Sequence, residues 1–225
     1  MTARTLSLGR ATILYDDTLL GHADEALFSP SARTPAVGGR GAAWIIPAGG
    51  NDGGEWVLRH YRRGGLPAKL VSDLYLWPGL ALTRPWREWQ LLAELHALGL
   101  PAPRPVAARV TRNGLAYRGD LITRRIIAAH SLAELLRDGA GQPWREIGAC
   151  IRRFHAAGVW HADLNAHNVL VDREGAVWLI DFDRGERRKP GPWEQANLAR
   201  LQRSLRKLGQ DDPQGWQLLL QGYAG

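Results

Sequence analysis

The residue types best suited to chemistry crowd one stretch between Trp160 and Gly185: His161, Asp163, Asn165, His167 and Asn168, then Asp181 and Asp183. Val169 to Val171 and Val177 to Ile180 are short apolar runs flanking Asp172-Arg173-Glu174-Gly175, which is the pattern of a β-hairpin. A turn centred on Glu174 and Gly175 predicts Val171 opposite Trp178, Val169 opposite Ile180, and Asn168 opposite Asp181. That register brings an amide and a carboxylate together at the mouth of the hairpin. Such an oxygen-rich pair suits Mg²⁺, a hard cation that keeps phosphate oxygens among its other ligands. Asp163 lies five residues before Asn168, in the irregular segment entering the hairpin, where it can accept a proton from a hydroxyl.

The elements that must position these groups are legible on both sides. Gly38 to Ala43 leads into Trp44-Ile45-Ile46, Pro47 to Gly54 reads as a polar turn, and Glu55 to Arg59 resumes an extended pattern. Thr83 and Pro85 announce a helix that turns Trp86, Trp89, Leu92 and Leu95 inward and stops at Gly99 before Pro101. Val106 to Val110 and Leu115 to Ile122 are two more strands around an Arg112-Asn113-Gly114 turn. Beyond Thr123 the pattern becomes mainly helical. Ser131 caps Leu132 to Arg137, and Pro143-Trp144 opens a helix to about Ala157 with Ile147, Ile151 and Phe154 on one face. After Pro190-Gly191-Pro192, Trp193 to Leu208 is expected to be the final helix, with Leu198, Leu201, Leu205 and Leu208 inward. Its other side carries Arg200, Arg203, Arg206 and Lys207, a solvated face or a contact for anionic lipid.

The chain of 225 residues carries a net charge of +7, and only Lys69, Lys189 and Lys207 of its 29 basic residues are lysines. A basic surface suits an anionic partner such as nucleic acid, an acidic lipid surface or a phosphorylated substrate. No apolar run of membrane-spanning length occurs and the first residues lack an apolar signal core, so a cytoplasmic protein is expected. The single cysteine, Cys150, falls in a helical pattern and reads as a buried, reduced thiol.

His161-Ala-Asp163-Leu-Asn-Ala-His-Asn168 followed by Asp181-Phe182-Asp183 resembles the catalytic loop and metal motif of protein kinases, H-x-D-L-x-x-x-N and D-F-x. The resemblance implies an α+β, protein-kinase-like bilobal fold. Residues 1–123 would form a small N-lobe with an antiparallel sheet and one helix, and residues 124–225 a mainly helical C-lobe. It implies Asp163 as the catalytic base, Asn168 and Asp181 as Mg²⁺ ligands, and a glycine-rich loop at Gly39-Arg40-Gly41 over the phosphates of ATP. Trp44 stands where a third loop glycine would fall. The strand position that carries a lysine in the family is Arg59, with Glu88 as its helix partner; Lys69 is the alternative cation. His161 resembles the structural histidine that props the loop. Asn165 and His167 are open to contact with substrate or to satisfying backbone groups, and Asp183 to the metal shell or to a pair with Arg184 or Arg187.

Only eight residues separate Asp181 from Pro190, which leaves little platform for a peptide substrate and favours a small-molecule acceptor. Gly39 to Trp44, Leu58 to Gly65, Tyr75 to Trp77, Arg84 to Leu92, His161 to Asn168 and Ile180 to Arg184 are similar to segments of the 3-deoxy-D-manno-octulosonic acid (Kdo) kinases of lipopolysaccharide-core synthesis. That resemblance implies ATP-dependent phosphorylation of the 4-hydroxyl of Kdo on a lipid A precursor, with Mg²⁺ as cofactor. The protein would act peripherally at the cytoplasmic face of the inner membrane, against its anionic surface and without a nucleic-acid partner. Arg62, Arg63 and the Arg184 to Lys189 cluster are the expected anion contacts. Another core sugar kinase, such as a heptose kinase, needs the same catalytic set. A nucleotide-binding pseudokinase or an RNA-associated kinase-like module stands as the alternative of a different class.

Overall fold

The computed structural model of the chain describes residues 1–36, 43–49, 53–62, 73–139, 141–210 and 212–225. The chain divides into two compact units, Met1–Ala93 with Arg104–Arg125, and Glu94–Pro103 with Ile126–Gly225.

The first unit is built on an antiparallel sheet. Its strands are β1 (Ala3–Leu8), β2 (Ala11–Asp16), β3 (Thr34–Pro35), β4 (Ala43–Pro47), β5 (Glu55–His60), β6 (Tyr75–Leu76), β7 (Pro105–Asn113) and β8 (Ala116–Arg124). They run in the order β1-β2-β7-β8-β5-β4-β3, with β6 paired to β8. Strand alternation separates the two faces of β5. Trp56 and Leu58 enter a core with Ile13, Ile46, Val106 and Ile122, so Val57 and Arg59 belong to the other face. Helix α1 (Arg84–Ala97) gives residues 84–93 to this unit, and Trp86 and Trp89 are buried on it as its spacing predicts. Gly119 in β8 is what lets the helix start come so close, because a Cβ there would run into the ring of Pro85. At the far edge, fully buried Asp16 accepts from the backbone N–H groups of Thr2 and Thr18 and pairs with Arg104. Burial works against its charge, but Arg104 and these donors outweigh it and hold its pKa below the usual carboxylate value.

The second unit is mainly helical around small strand pairs. Strand β9 (His130–Ser131) leads into α2 (Leu132–Arg137), and α3 (Trp144–Ala156) is followed by β10 (Val159–Trp160). The hairpin of β11 (Val169–Val171) and β12 (Val177–Leu179) pairs with β9, while β13 (Glu186–Arg187) pairs with β10. Ser131 and Glu134 form a complete capping box at the start of α2. Ile147, Ile151 and Phe154 on α3 are buried, as is Cys150, whose thiol donates to the carbonyl of Val177 at 3.4 Å and is pushed up to about 12 by burial.

The helix expected to end the chain is α4 (Trp193–Lys207), and it does not end it. A further helix, α5 (Pro213–Ala224), packs along α3. Leu208, expected inward, is 39% exposed at the end of α4. Close packing between α3 and α5 rests on glycine: a Cβ on Gly148 would strike the carbonyl of Leu219, and one on Gly222 the carbonyl of Arg145. Asp212 caps α5 by accepting from the N–H of Gly215, with Pro213 as its first helical residue, and that start signal was present in the sequence.

His155, on α3, is buried against Trp193 and Tyr223, and its Nδ1 lies 2.8 Å from the Tyr223 hydroxyl. Burial pushes its pKa from 6.5 to about 4. The folded state therefore keeps the ring neutral where the unfolded chain binds a proton, so stability falls as pH drops from about 6.5 toward about 4. The slope from this group is at most about 1.4 kcal/mol per pH unit. In thermal melts across that window, His155→Gln is expected to show a shallower pH dependence than the parent protein; equal slopes would remove His155 as the source.

Candidate active site

The hairpin exists, but its register differs by one residue from the expected one. Val169 faces Leu179, Leu170 faces Trp178, and Val171 faces Val177. The cause is the loop. Asp172 Oδ1 accepts from the N–H groups of Glu174 and Ala176 at 3.1 and 2.8 Å, and Oδ2 accepts from the Trp178 indole at 2.8 Å. Gly175 takes a left-handed conformation at φ 82°, so three residues rather than two close the turn. Asn168 consequently faces Ile180, whose N–H donates to the Asn168 carbonyl at 3.0 Å. Asp181 is the first residue past the ladder. It also adopts a left-handed backbone, φ 63°, which is uncommon outside glycine and ends strand geometry there.

His161 links the two ends of this motif. Its Nδ1 accepts from the N–H of Asp163 at 3.1 Å, and its Nε2 lies 2.9 Å from the carbonyl oxygen of Ile180. One ring nitrogen must accept and the other must donate, so this pattern requires the neutral imidazole protonated on Nε2. Burial drives the pKa of the ring down, against the opposing pull of the Ile180 carbonyl and of the Asp181 and Asp163 charges. Phe182 packs on the ring at 4.8 Å between centroids and stacks on Phe154 at 5.5 Å, which seats the segment after Asp181 in the core. His161 therefore acts as the prop the motif led us to expect.

Asp163 is half exposed, and its main-chain carbonyl is held from below. Both Asn165 Nδ2 and Asn168 Nδ2 donate to it, at 3.0 and 2.9 Å. Asn165 thus satisfies backbone groups, and also accepts from the N–H of His167 at 2.8 Å. Because Asn168 spends its NH₂ on Asp163, its Oδ1 remains as the end of the amide able to bind a cation. Asp183 stays partly buried, and the Arg184 guanidinium approaches it only to 4.0 Å.

Helix α4 supplies a group that sequence reasoning missed. Asn197 is buried and pairs with the backbone of His161 in both directions, at 3.2 and 3.0 Å. One turn later Arg200 places Nε 2.9 Å from Asp163 Oδ1 and donates to the same oxygen through Nη2. Another turn on, Ser204 Oγ accepts from the N–H of Ala166 at 3.1 Å. Spacings of three and four put these residues on one helix face. Grouping Arg200 with Arg203 and Arg206 hid this, although polar Asn197 and Ser204 beside the leucine stripe marked a second partner face. Both Arg200 nitrogens engage Oδ1, and Asp163 Oδ2 carries no hydrogen bond among the described residues.

In the first unit Arg59 forms an ion pair with Glu88, which is almost wholly buried and also accepts from the Tyr61 hydroxyl. Arg59 and Arg84 both lie on the Tyr61 ring, at 4.9 and 5.2 Å from its centroid. This cation is thus locked in place by a buried carboxylate and an aromatic face. Gly39, Arg40 and Gly41 of the expected glycine loop lie outside the described residues, as do Arg63 and the alternative cation Lys69.

The family model of the lipopolysaccharide kinases, Kdo/WaaP, matches residues 36–223. A 3-deoxy-D-manno-octulosonic acid kinase of Stenotrophomonas maltophilia strain K279a is 50% identical over 207 residues, covering 89% of this chain and 82% of the relative. The protein of the same name from Xanthomonas campestris pv. campestris strain B100 is 49% identical with the same coverage. That from Xanthomonas oryzae pv. oryzae strain PXO99A is 44% identical over 227 residues, covering 96% of this chain and 90% of the relative.

The Arg200 contact has a kinetic signature. Arg200→Met frees the Asp163 carboxylate to rotate, and for Asp163 as the base that the kinase motif implies, misplacement by about 1 Å costs on the order of 10²-fold in rate. A phosphotransfer assay is expected to show kcat reduced on that scale with the KM for ATP little changed, and partial recovery in Arg200→Lys. A wild-type kcat in Arg200→Met would show that Asp163 needs no such hold.

Proposed function

The chain belongs to the lipopolysaccharide kinase (Kdo/WaaP) family, and on that premise we propose that it moves the γ-phosphoryl group of ATP to the 4-hydroxyl of a Kdo sugar on a lipid A precursor. The observation that carries this reading is the state of Asp163: one carboxylate oxygen is held by Arg200, and the other carries no hydrogen bond among the described residues, on a half-exposed side chain whose backbone is fixed by His161, Asn165 and Asn168. In the proposed step the sugar hydroxyl gives its proton to Asp163 Oδ2 as its oxygen bonds to the γ-phosphorus. The bond from phosphorus to the β,γ-bridging oxygen breaks, and ADP leaves with that electron pair. Positioning and charge stabilisation dominate such a transfer, because the phosphoryl group needs little covalent help from the protein.

Arg59 is the proposed phosphate cation. Its planar guanidinium differs from a lysine ammonium in offering two parallel donors, so it suits a bidentate grip on phosphate oxygens. Glu88 and Tyr61 hold it from behind. Asn168 Oδ1 and the Asp181 carboxylate are hard oxygen donors, and no cluster of three or more metal-binding side chains occurs among the described residues. That donor set fits Mg²⁺, which retains phosphate and water ligands and would neutralise phosphate charge when bound. Peripheral attachment at the cytoplasmic face of the inner membrane belongs to the same proposal. Its support is the net charge of +7, which suits an anionic surface.

The test uses purified protein, labelled ATP, Mg²⁺ and a Kdo-bearing lipid A precursor. The parent protein is expected to label the precursor on Kdo, and Asp163→Asn to lose transfer by about 10²- to 10⁴-fold while still binding ATP. Near-parental transfer by Asp163→Asn would sink the base assignment. ATP binding by the parent without transfer to this acceptor would sink the substrate.

A further inference from the structure

Large apolar residues lie exposed in the first unit where β6 meets the turn between β7 and β8. Leu76 is 78% exposed and Leu115 is 83% exposed. They belong together: the N–H of Trp77 donates to the Leu115 carbonyl at 2.9 Å, and Leu76 pairs with Ala116 in the sheet. Beside them opens a cavity of about 520 Å³ lined by Arg10, Thr12, Trp77, Leu80, Arg112 and Asn113, among others. The Arg112 guanidinium covers the Trp77 ring at 4.8 Å and its Nε donates to the Gly114 carbonyl at 3.1 Å. Arg10 reaches only the Asn113 amide oxygen, at 3.4 Å. Neither arginine meets a carboxylate among the described residues, whereas the neighbouring Arg118 is paired with Asp73 at 2.7 Å.

Single exposed leucines are ordinary, but a neighbouring pair beside a tryptophan and two guanidiniums without a carboxylate partner is not. The combination has the chemistry of the bilayer interface. Leucine enters the acyl boundary, tryptophan sits at headgroup depth, and arginine takes lipid phosphate. We propose that this patch docks the protein on an anionic bilayer, with Leu76 and Leu115 inserted and the cavity between Arg10 and Arg112 holding a headgroup phosphate. The proposal rests on the membrane-facing reading above and names the surface that meets the membrane. A soluble protein partner is the competing occupant. Charge complementarity favours lipid, because Arg10 and Arg112 have no carboxylate partner and, among the described residues, the cavity lining holds no acid to pair with a basic partner surface.

The experiment is co-sedimentation of the full chain with vesicles of phosphatidylcholine, with and without phosphatidylglycerol. The parent protein is expected to bind the phosphatidylglycerol vesicles preferentially. Leu76→Glu with Leu115→Glu, and separately Arg10→Ser with Arg112→Ser, are each expected to weaken that binding about tenfold or more, since each basic residue near such a surface is worth about a factor of five. Transfer to a detergent-dispersed acceptor is expected to stay at the parental rate in both variants, which shows an intact fold. Parental vesicle binding by both double variants, or equal binding to neutral and anionic vesicles, overturns the proposal. Vesicle binding that depends on these residues, in a protein that fails to phosphorylate Kdo, supports the docking surface while rejecting the substrate assignment.

Discussion

A single buried imidazole holds the catalytic motif together. His161 accepts from the N–H of Asp163 and donates to the carbonyl of Ile180, the residue before Asp181. The ring is therefore a strut between the loop that carries Asp163, the proposed base, and the strand end that carries Asp181, the proposed metal ligand. Its neutrality is essential, because an imidazolium has two donors and could not accept from Asp163. Burial supplies that neutrality, and Phe182 packs directly on the ring. The two carboxylates pull the other way, since both favour a charged ring. The core beneath the loop therefore does electrostatic as well as steric work.

Helix α4 completes the frame from the other side. Asn197, Arg200 and Ser204 meet the loop backbone at His161, the Asp163 side chain and the backbone at Ala166 in successive turns. A half-exposed carboxylate would otherwise sample many orientations. Holding one of its oxygens leaves the second defined in direction and free to take a proton. In the first unit the same economy appears in the pair of Arg59 and Glu88, where a buried carboxylate needs its cation and in return fixes it.

Much of this was legible in the chain. The helix carrying Glu88, the strand carrying Arg59, the N-cap at Ser131 and the existence of the hairpin all followed from periodicity and turn chemistry. The register did not, because Asp172-Arg173-Glu174-Gly175 is compatible with two- and three-residue closures. The choice was made by the Asp172 carboxylate bonding to backbone and indole donors. Helix α5 was missed although Asp212-Pro213 marks its start and Trp216, Leu219 and Tyr223 recur at helical spacing; its close packing runs through Gly215 and Gly222, where glycines stand in place of large residues. Arg200 was hidden among exposed arginines, since a contact 37 residues away in sequence leaves no local trace.

The most direct test of this account is the titration of the His161 ring itself, followed by nitrogen-15 chemical shifts of labelled protein. The account predicts a neutral ring protonated on Nε2, with no sign of titration in the range near 6.5 where a free histidine changes charge. A ring that protonates in that range, or that carries its proton on Nδ1, would contradict the strut between Asp163 and Ile180.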